Sequence, residues 1–220
     1  MSEWAELIQE TSLRRVILAH RAERAGFAAG RLPDGVELDL RTGEAWSTHA
    51  AYEVVPGPGR RHRQLEVRAC VVGPFGPGVV VLDTWVDRMC APLTRPRGRP
   101  RRFDPELRLE VEDDEGRVRA RAGRVRLLGG IIPGSERRPR SGSVDAFLLE
   151  REWVYGESLE GCGWAVRVAH EPLEVRRASL LLEDRGPASV GHYAAAPGPT
   201  RVVELRRLPT SLSAGLRQSA

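Results

Sequence analysis

The pairing in this chain best suited to chemistry is Glu66 with Arg68. Both stand in the run Leu65-Glu66-Val67-Arg68-Ala69-Cys70-Val71-Val72, which alternates apolar and polar residues. In an extended strand, side chains two apart share a face, so Glu66 and Arg68 lie together, opposite Leu65, Val67 and Ala69. With that face turned into a cavity, Glu66 could act as acid or base, and Arg68 could clamp a carboxylate or an enolate. Turned outward, the same two residues are a solvated surface pair of little energetic consequence.

Three further places carry titratable groups in suggestive positions. Glu150-Arg151 ends a short helical pattern in which Val144, Phe147, Leu148 and Arg151 share one side. Arg151 is therefore expected to be partly buried, as a substrate-binding group or as a cation at a helix C-terminus. His170 closes the alternating run Trp164 to Val168, beside Glu171 and a strand-ending Pro172, where it could orient proton transfer or be purely structural. Asp83 and Trp85 follow the apolar run Val79 to Leu82, at a pocket mouth or a plain strand end. The segment Thr94 to Arg102 contains Arg97-Gly98-Arg99-Pro100, which resembles the core of a minor-groove-binding hook. A single copy in so arginine-rich a chain is better read as a solvated loop, so nucleic acid is the lesser alternative as a partner.

The absences are as informative. There is no lysine and no asparagine, and all 34 basic residues are arginine, the pattern of a GC-rich bacterial genome. A lysine imine and a phosphate-loop lysine are thereby excluded. Three cysteines without a Cys-x-x-Cys pair give neither a zinc site nor a disulfide framework, and fit a reducing cytoplasm. No metal or cofactor motif is present, so no cofactor is expected. The net charge of +4 is modest because 30 acids are interleaved with the arginines. No apolar run approaches the roughly 18 residues a membrane span needs, so a soluble cytoplasmic protein without a membrane partner is expected.

The elements that must position these residues are mostly strands. Residues 3–20 read as a helix, or as a helix followed by a strand at Val16-Ile17-Leu18. Alternation predicts strands around 36–40, 51–55, 65–72, 79–82, 178–183 and 201–208. Leu107, Leu109 and Val111 alternate with charges up to Asp113-Asp114-Glu115-Gly116. Val118, Ala120 and Ala122 then alternate with arginines, which makes a hairpin with acids facing arginines. A serine at the start of the stretch from Ser141 caps the short helix that leads to Arg151. The sum is roughly ten short strands and one or two helices, an antiparallel barrel or sandwich. We expect one domain over 1–208 and a frayed tail over 209–220.

The order of several segments resembles the YqjF-like bacterial proteins of the acetoacetate-decarboxylase-like superfamily. His20 followed by Leu32-Pro33-Asp34-Gly35 and the Val36–Asp39 strand, Gly43-Glu44-Ala45-Trp46, and the Gln64–Val71 strand all take part. So do Gly76-Pro77-Gly78-Val79, Gly142 to Arg151, His170 with Pro172, His192-Tyr193 and Val202 to Leu208. The likeness runs from about Arg15 to Leu208. It departs at Gln64, Glu66, Ala91 to Leu93, and Glu171-Pro172-Leu173. The resemblance implies a β-rich cone or barrel around an internal cavity, while the missing lysine rules out an imine-forming decarboxylase. The expected role is to bind or transform a small carbonyl- or carboxylate-bearing metabolite in that cavity. Chemistry would be lyase-, isomerase- or cyclase-like, with Glu66, Arg68, Glu150 and His170 as catalytic candidates and Arg151, Asp83 and Trp85 as substrate-binding ones. A non-catalytic binding module is the alternative, and self-association is left open.

Overall fold

The computed structural model describes residues 10–24, 26–28, 30–56, 61–88, 102–112, 116–123, 125–135, 138–157, 161–169, 175–182, 186–187, 190–194 and 199–207. In chain order the strands are β1 (Glu10–Glu23), β2 (Glu37–Leu38), β3 (Ala45–Pro56), β4 (His62–Gly73), β5 (Gly76–Val86) and β6 (Arg102–Phe103). They continue as β7 (Arg108–Glu112), β8 (Arg117–Ala122) and β9 (Val125–Ile131), after which comes the helix α1 (Val144–Leu149). The last six are β10 (Trp153–Glu157), β11 (Gly163–Ala169), β12 (Val175–Leu182), β13 (Gly186–Pro187), β14 (Val190–Ala194) and β15 (Pro199–Arg207). The described strands number fifteen rather than about ten: the strand expected around 36–40 is the short β2, while β6, β9, β13 and β14 were not expected.

One hydrogen-bonded path joins the sheet in the order β15-β11-β10-β5-β4-β3-β1-β14-β12-β9-β8-β7. β1 also pairs with β15, through Glu10 to Ser12 opposite Arg201 to Pro199. Most pairings are antiparallel as expected, but β10 and β6 both run parallel to β5. The parallel β5–β10 step requires a long crossover, which carries β6 to β9 and α1.

The expected N-terminal helix is corrected over 10–15, and the alternative strand at Val16-Ile17-Leu18 is found, both within strand β1. Arg14 to Glu23 pair with β3 and Val16 to His20 with β14, so tertiary pairing overrides the helical spacing of the apolar residues. Residues 16–20 of β1 are buried on both faces, and so are 45–52 of β3. That explains the near-continuous apolar run Val16-Ile17-Leu18-Ala19. The 107–122 hairpin matches its expectation, with Glu110 opposite Arg119 and Glu112 opposite Arg117. Its outward residues are exposed while Leu109, Val118, Ala120 and Ala122 are buried.

The main apolar core lies on one side of β1, β3, β4 and β5. There Ile17, Ala51, Leu65, Val67, Leu82 and Trp85 meet Leu107, Val118, Leu127, Tyr155 and Leu182. The opposite side of the same strands is covered by α1. Leu149 packs with Val16, Leu18, Ala50, Tyr52 and Val175, and Leu148 packs with Trp46 and Cys70. Ser143 caps this helix, accepting from the Ala146 amide at 3.1 Å. Of the side expected to carry Val144, Phe147, Leu148 and Arg151, Leu148 and Arg151 are buried and Phe147 is partly buried, while Val144 is exposed. The helix buries Asp145, Ala146, Leu148 and Leu149 and leaves Val144 at 37% exposure, because Leu148 and Leu149 are the residues that seat it on the sheet. No helix among the described residues is long and apolar enough to cross a membrane. The expected tail, the Arg-rich 94–101 loop and His170 lie outside the described residues.

Candidate functional site

Between α1 and the central strands lies a buried face that is polar where a core would be apolar. β4 contributes His62, Gln64, Glu66, Arg68 and Cys70, alternating with Leu65, Val67 and Ala69 on the core side. Strand register sets their neighbours. His20 of β1 stands opposite Thr48 of β3, and Thr48 opposite Arg68. In the next row Leu18, Ala50, Glu66 and Thr84 line up across β1, β3, β4 and β5, and Tyr52 faces Gln64 beyond them. Side chains opposite one another in an antiparallel pair share a face, so these rows form one surface.

Glu66 is 1% exposed, and both of its oxygens have donors. Gln64 Nε2 donates to Oε1, Arg68 Nε donates to Oε2 at 2.7 Å, and Arg68 Nη2 forms an ion-pair contact with Oε2 at 2.6 Å. Arg68 also reaches the Tyr52 hydroxyl at 3.4 Å, with its guanidinium 5.6 Å from the centre of that ring. About a quarter of the Arg68 side chain (24%) stays exposed, so the buried carboxylate meets solvent through its arginine. Beside Arg68 the β4–β5 register slips at Leu82, a bulge of the kind that re-aims side chains. The Glu66–Arg68 pair is therefore interior, and the solvated alternative for it is set aside.

Across the same surface, His20 is fully buried and its Nδ1 lies 2.9 Å from Thr48 Oγ1. Thr48 Oγ1 is 4.0 Å from Cys70 Sγ. Burial pushes the Cys70 thiol above its ordinary range, against the opposing pull of the Arg151 guanidinium and the Thr48 hydroxyl. Cys70 is thus a buried thiol held towards its neutral form. Among the described residues no group of three or more His, Cys, Asp or Glu could hold a metal ion. An open surface groove of about 680 Å³, lined by Arg21 to Arg24, Gly26, Phe27 and Glu44, lies at the end of β1. It abuts the polar face through Ala22, which packs against the Trp46–Cys70–Leu148 cluster.

A known family matches this arrangement over most of its length. The model of the DUF2071 family, described as an uncharacterized conserved protein (COG2071), matches residues 10–203. The chain belongs to the DUF2071 family. Solved structures similar to this DUF2071 chain are acetoacetate-decarboxylase-like. They include the enduracididine biosynthesis enzyme MppR complexed with pyruvate, at 14% identity and a TM-score of 0.65, over 94% of this chain and 93% of that one. The acetoacetate decarboxylase of Legionella pneumophila has 13% identity and a TM-score of 0.65, over 96% and 91%. An acetoacetate-decarboxylase-like enzyme from Sphingomonas wittichii has 12% identity and a TM-score of 0.65, over 94% of each chain. At these identities the likeness shows the fold, acetoacetate-decarboxylase-like. No curated protein sequence matches the chain.

Of the residues singled out in this DUF2071 sequence, the fold brings only Glu66 and Arg68 together on the polar face. Asp83 and Trp85 stand opposite Val67 and Leu65, so they belong to the core side of β5. Asp83 is held by Arg31 at 3.3 Å and Arg102 at 3.2 Å, and Trp85 is buried in the main core under the Arg102 guanidinium. Glu150 is exposed at the helix C-cap. Arg151 is buried as expected, and works as a fastener. Its Nε donates to the Phe147 carbonyl at 2.6 Å, and its Nη1 donates to Asp39 at 2.6 Å and to the Val71 carbonyl at 3.3 Å. The guanidinium also sits 4.1 Å from the Phe147 ring centre, tying α1 to the end of β4. Sequence reasoning missed Thr48, Tyr52 and Gln64 as members of the site, and noticed His20 only as part of a family pattern. The available signal was Gln64 itself, a polar residue in phase with Glu66 and Arg68.

Proposed function

We propose that this chain binds a small carbonyl- or carboxylate-bearing metabolite on the polar face of β4, and acts on it by acid–base chemistry without a lysine imine. The observation that carries this is the interior Glu66–Arg68 pair, with Arg68 its solvent-reaching member. A guanidinium forked between an internal carboxylate and a ligand suits a planar oxo acid, whose carboxylate and carbonyl oxygens lie side by side. Glu66 holds the fork, with both its oxygens turned to Gln64 and Arg68. The similar structures lend support to the ligand class, since one is complexed with pyruvate and another is an acetoacetate decarboxylase. The chain has no lysine for the imine, so arginine must stabilise any enolate by charge and hydrogen bonding. We read the sheet as a cone around this face, a reading supported by the β1–β15 pairing.

Calorimetric or saturation-transfer NMR titration with pyruvate and acetoacetate tests the proposal. The expected result is binding of at least one probe, weakened roughly tenfold or more in the Glu66→Gln/Arg68→Met double variant, as loss of a charged hydrogen bond implies. The double variant is chosen because it leaves no lone buried charge. Neither probe binding to the wild type, or equal affinity in a folded double variant, would overturn the reading.

A further inference from the structure

We propose that the groove at the end of β1 is a second binding site, for a free α-amino acid with an apolar side chain. It stands apart from the ligand role proposed for Arg68 and rests on other residues. The groove, of about 680 Å³, is lined among others by Arg21, Glu23, Arg24, Phe27 and Glu44. Two arginines and two glutamates make the lining neutral as a whole, with separated charges of both signs. These charges do not satisfy one another. Glu23 accepts from Ser47 Oγ at 2.8 Å. The side chains of Arg21, Arg24 and Glu44 make no hydrogen bond or ion pair among the described residues, and Arg21 Nη1 is buried without an acceptor. A half-buried guanidinium in that state calls for an anion from outside the fold.

Local structure fixes where these charges stand. Arg21 and Glu23 are two apart on β1 and share a face. They pair with Ser47 and Ala45 of β3, so Glu44, one residue before β3, stands beside the end of β1. A tight turn holds the Glu44 backbone, its amide and that of Arg41 each donating to the other's carbonyl at 3.0 Å. On the other wall the Phe27 amide donates to the Arg24 carbonyl at 3.1 Å, and the Phe27 side chain packs against the main core. An α-amino acid supplies what this lining lacks. Its carboxylate is the acceptor for the two guanidinium groups, its ammonium is the donor for Glu44, and an apolar side chain lies along Phe27. Pyruvate has no cation to offer Glu44, so the two ligand classes sort to different places on the chain.

The test is calorimetric titration of the full chain with phenylalanine, with backbone amide NMR to place the ligand. Binding at millimolar concentration is expected, with shifts on 21–27 and 44–47. Hydrocinnamic acid lacks the ammonium and phenethylamine lacks the carboxylate, and each should bind about tenfold or more weakly, the scale of one charged hydrogen bond. Arg24→Gln and Glu44→Gln change exposed side chains, so both variants should fold, and each should weaken phenylalanine binding about fivefold or more. Saturating pyruvate should leave the phenylalanine affinity within about threefold of its value alone, as for separate sites. No binding of phenylalanine overturns the proposal. So does equal affinity for the two analogues that lack a charge, or wild-type affinity in both variants. Displacement by pyruvate, or phenylalanine shifts confined to 62–70, overturns it as well.

Discussion

At the scale of single residues, the site rests on an asymmetry of burial within one ion pair. Glu66 is sealed in and Arg68 is partly wet. Removing either partner is therefore not equivalent. Arg68→Ala leaves a buried carboxylate without its cation, a change that costs about 3–5 kcal/mol in comparable pairs. Glu66→Gln leaves a cation that water still reaches, and loses only charged hydrogen bonds, about 1–3 kcal/mol. Urea unfolding of the two single variants should rank them in that order. The reverse order would mean that Arg68, not Glu66, is the sealed partner. Arg151 illustrates the other fate of a buried arginine. Its contacts to Asp39, Val71 and Phe147 are all internal, so it fastens α1, in contrast to the ligand-binding role proposed for Arg68.

At the scale of elements, the polar face exists because β1, β3, β4 and β5 are covered on both sides. Within the same sheet, the parallel pairing of β10 with β5 brings two backbones close together. Gly78 of β5 sits where an added Cβ would meet the Trp153 carbonyl oxygen and the Tyr155 ring. Gly78→Ala is expected to cost about 2 kcal/mol or more, at the upper end of overpacking, because backbone rather than a flexible side chain stands in the way. Gly130 of β9 offers a contrast, since its nearest neighbour would be the Gly116 carbonyl oxygen at an ordinary 3.7 Å. Gly130→Ala should stay within about 0.5 kcal/mol of the wild type. Thermal melts of the two variants check this, and equal midpoints would contradict the close β5–β10 approach. α1 was legible from sequence because Ser143 caps it locally. Which of its faces is buried was not legible, since that is decided by Leu148 and Leu149 meeting strands far away in the chain.

At the scale of the molecule, sequence reasoning succeeded where contacts are local and stopped where they are distant. The Arg108–Ala122 hairpin was readable because its two strands are adjacent and one face is solvated, so alternation and charge pairing are both visible. β1 was misread in part because burial on both faces erases alternation, and its partners β3, β14 and β15 lie elsewhere in the chain. The site divides along the same line. Glu66 and Arg68 were found because two-residue spacing puts them on one face. The row of His20, Thr48 and Arg68 is set by the registers of three strands, which no local spacing encodes. The central claim is that the Glu66–Arg68 pair on the polar face of β4 holds the ligand. The most direct measurement is a pyruvate titration followed by backbone amide NMR of the full chain. Shifts concentrated on 16–20, 46–52 and 62–70 are predicted. Shifts confined to the surface groove around Arg21 to Phe27, or no shifts at all, would contradict it.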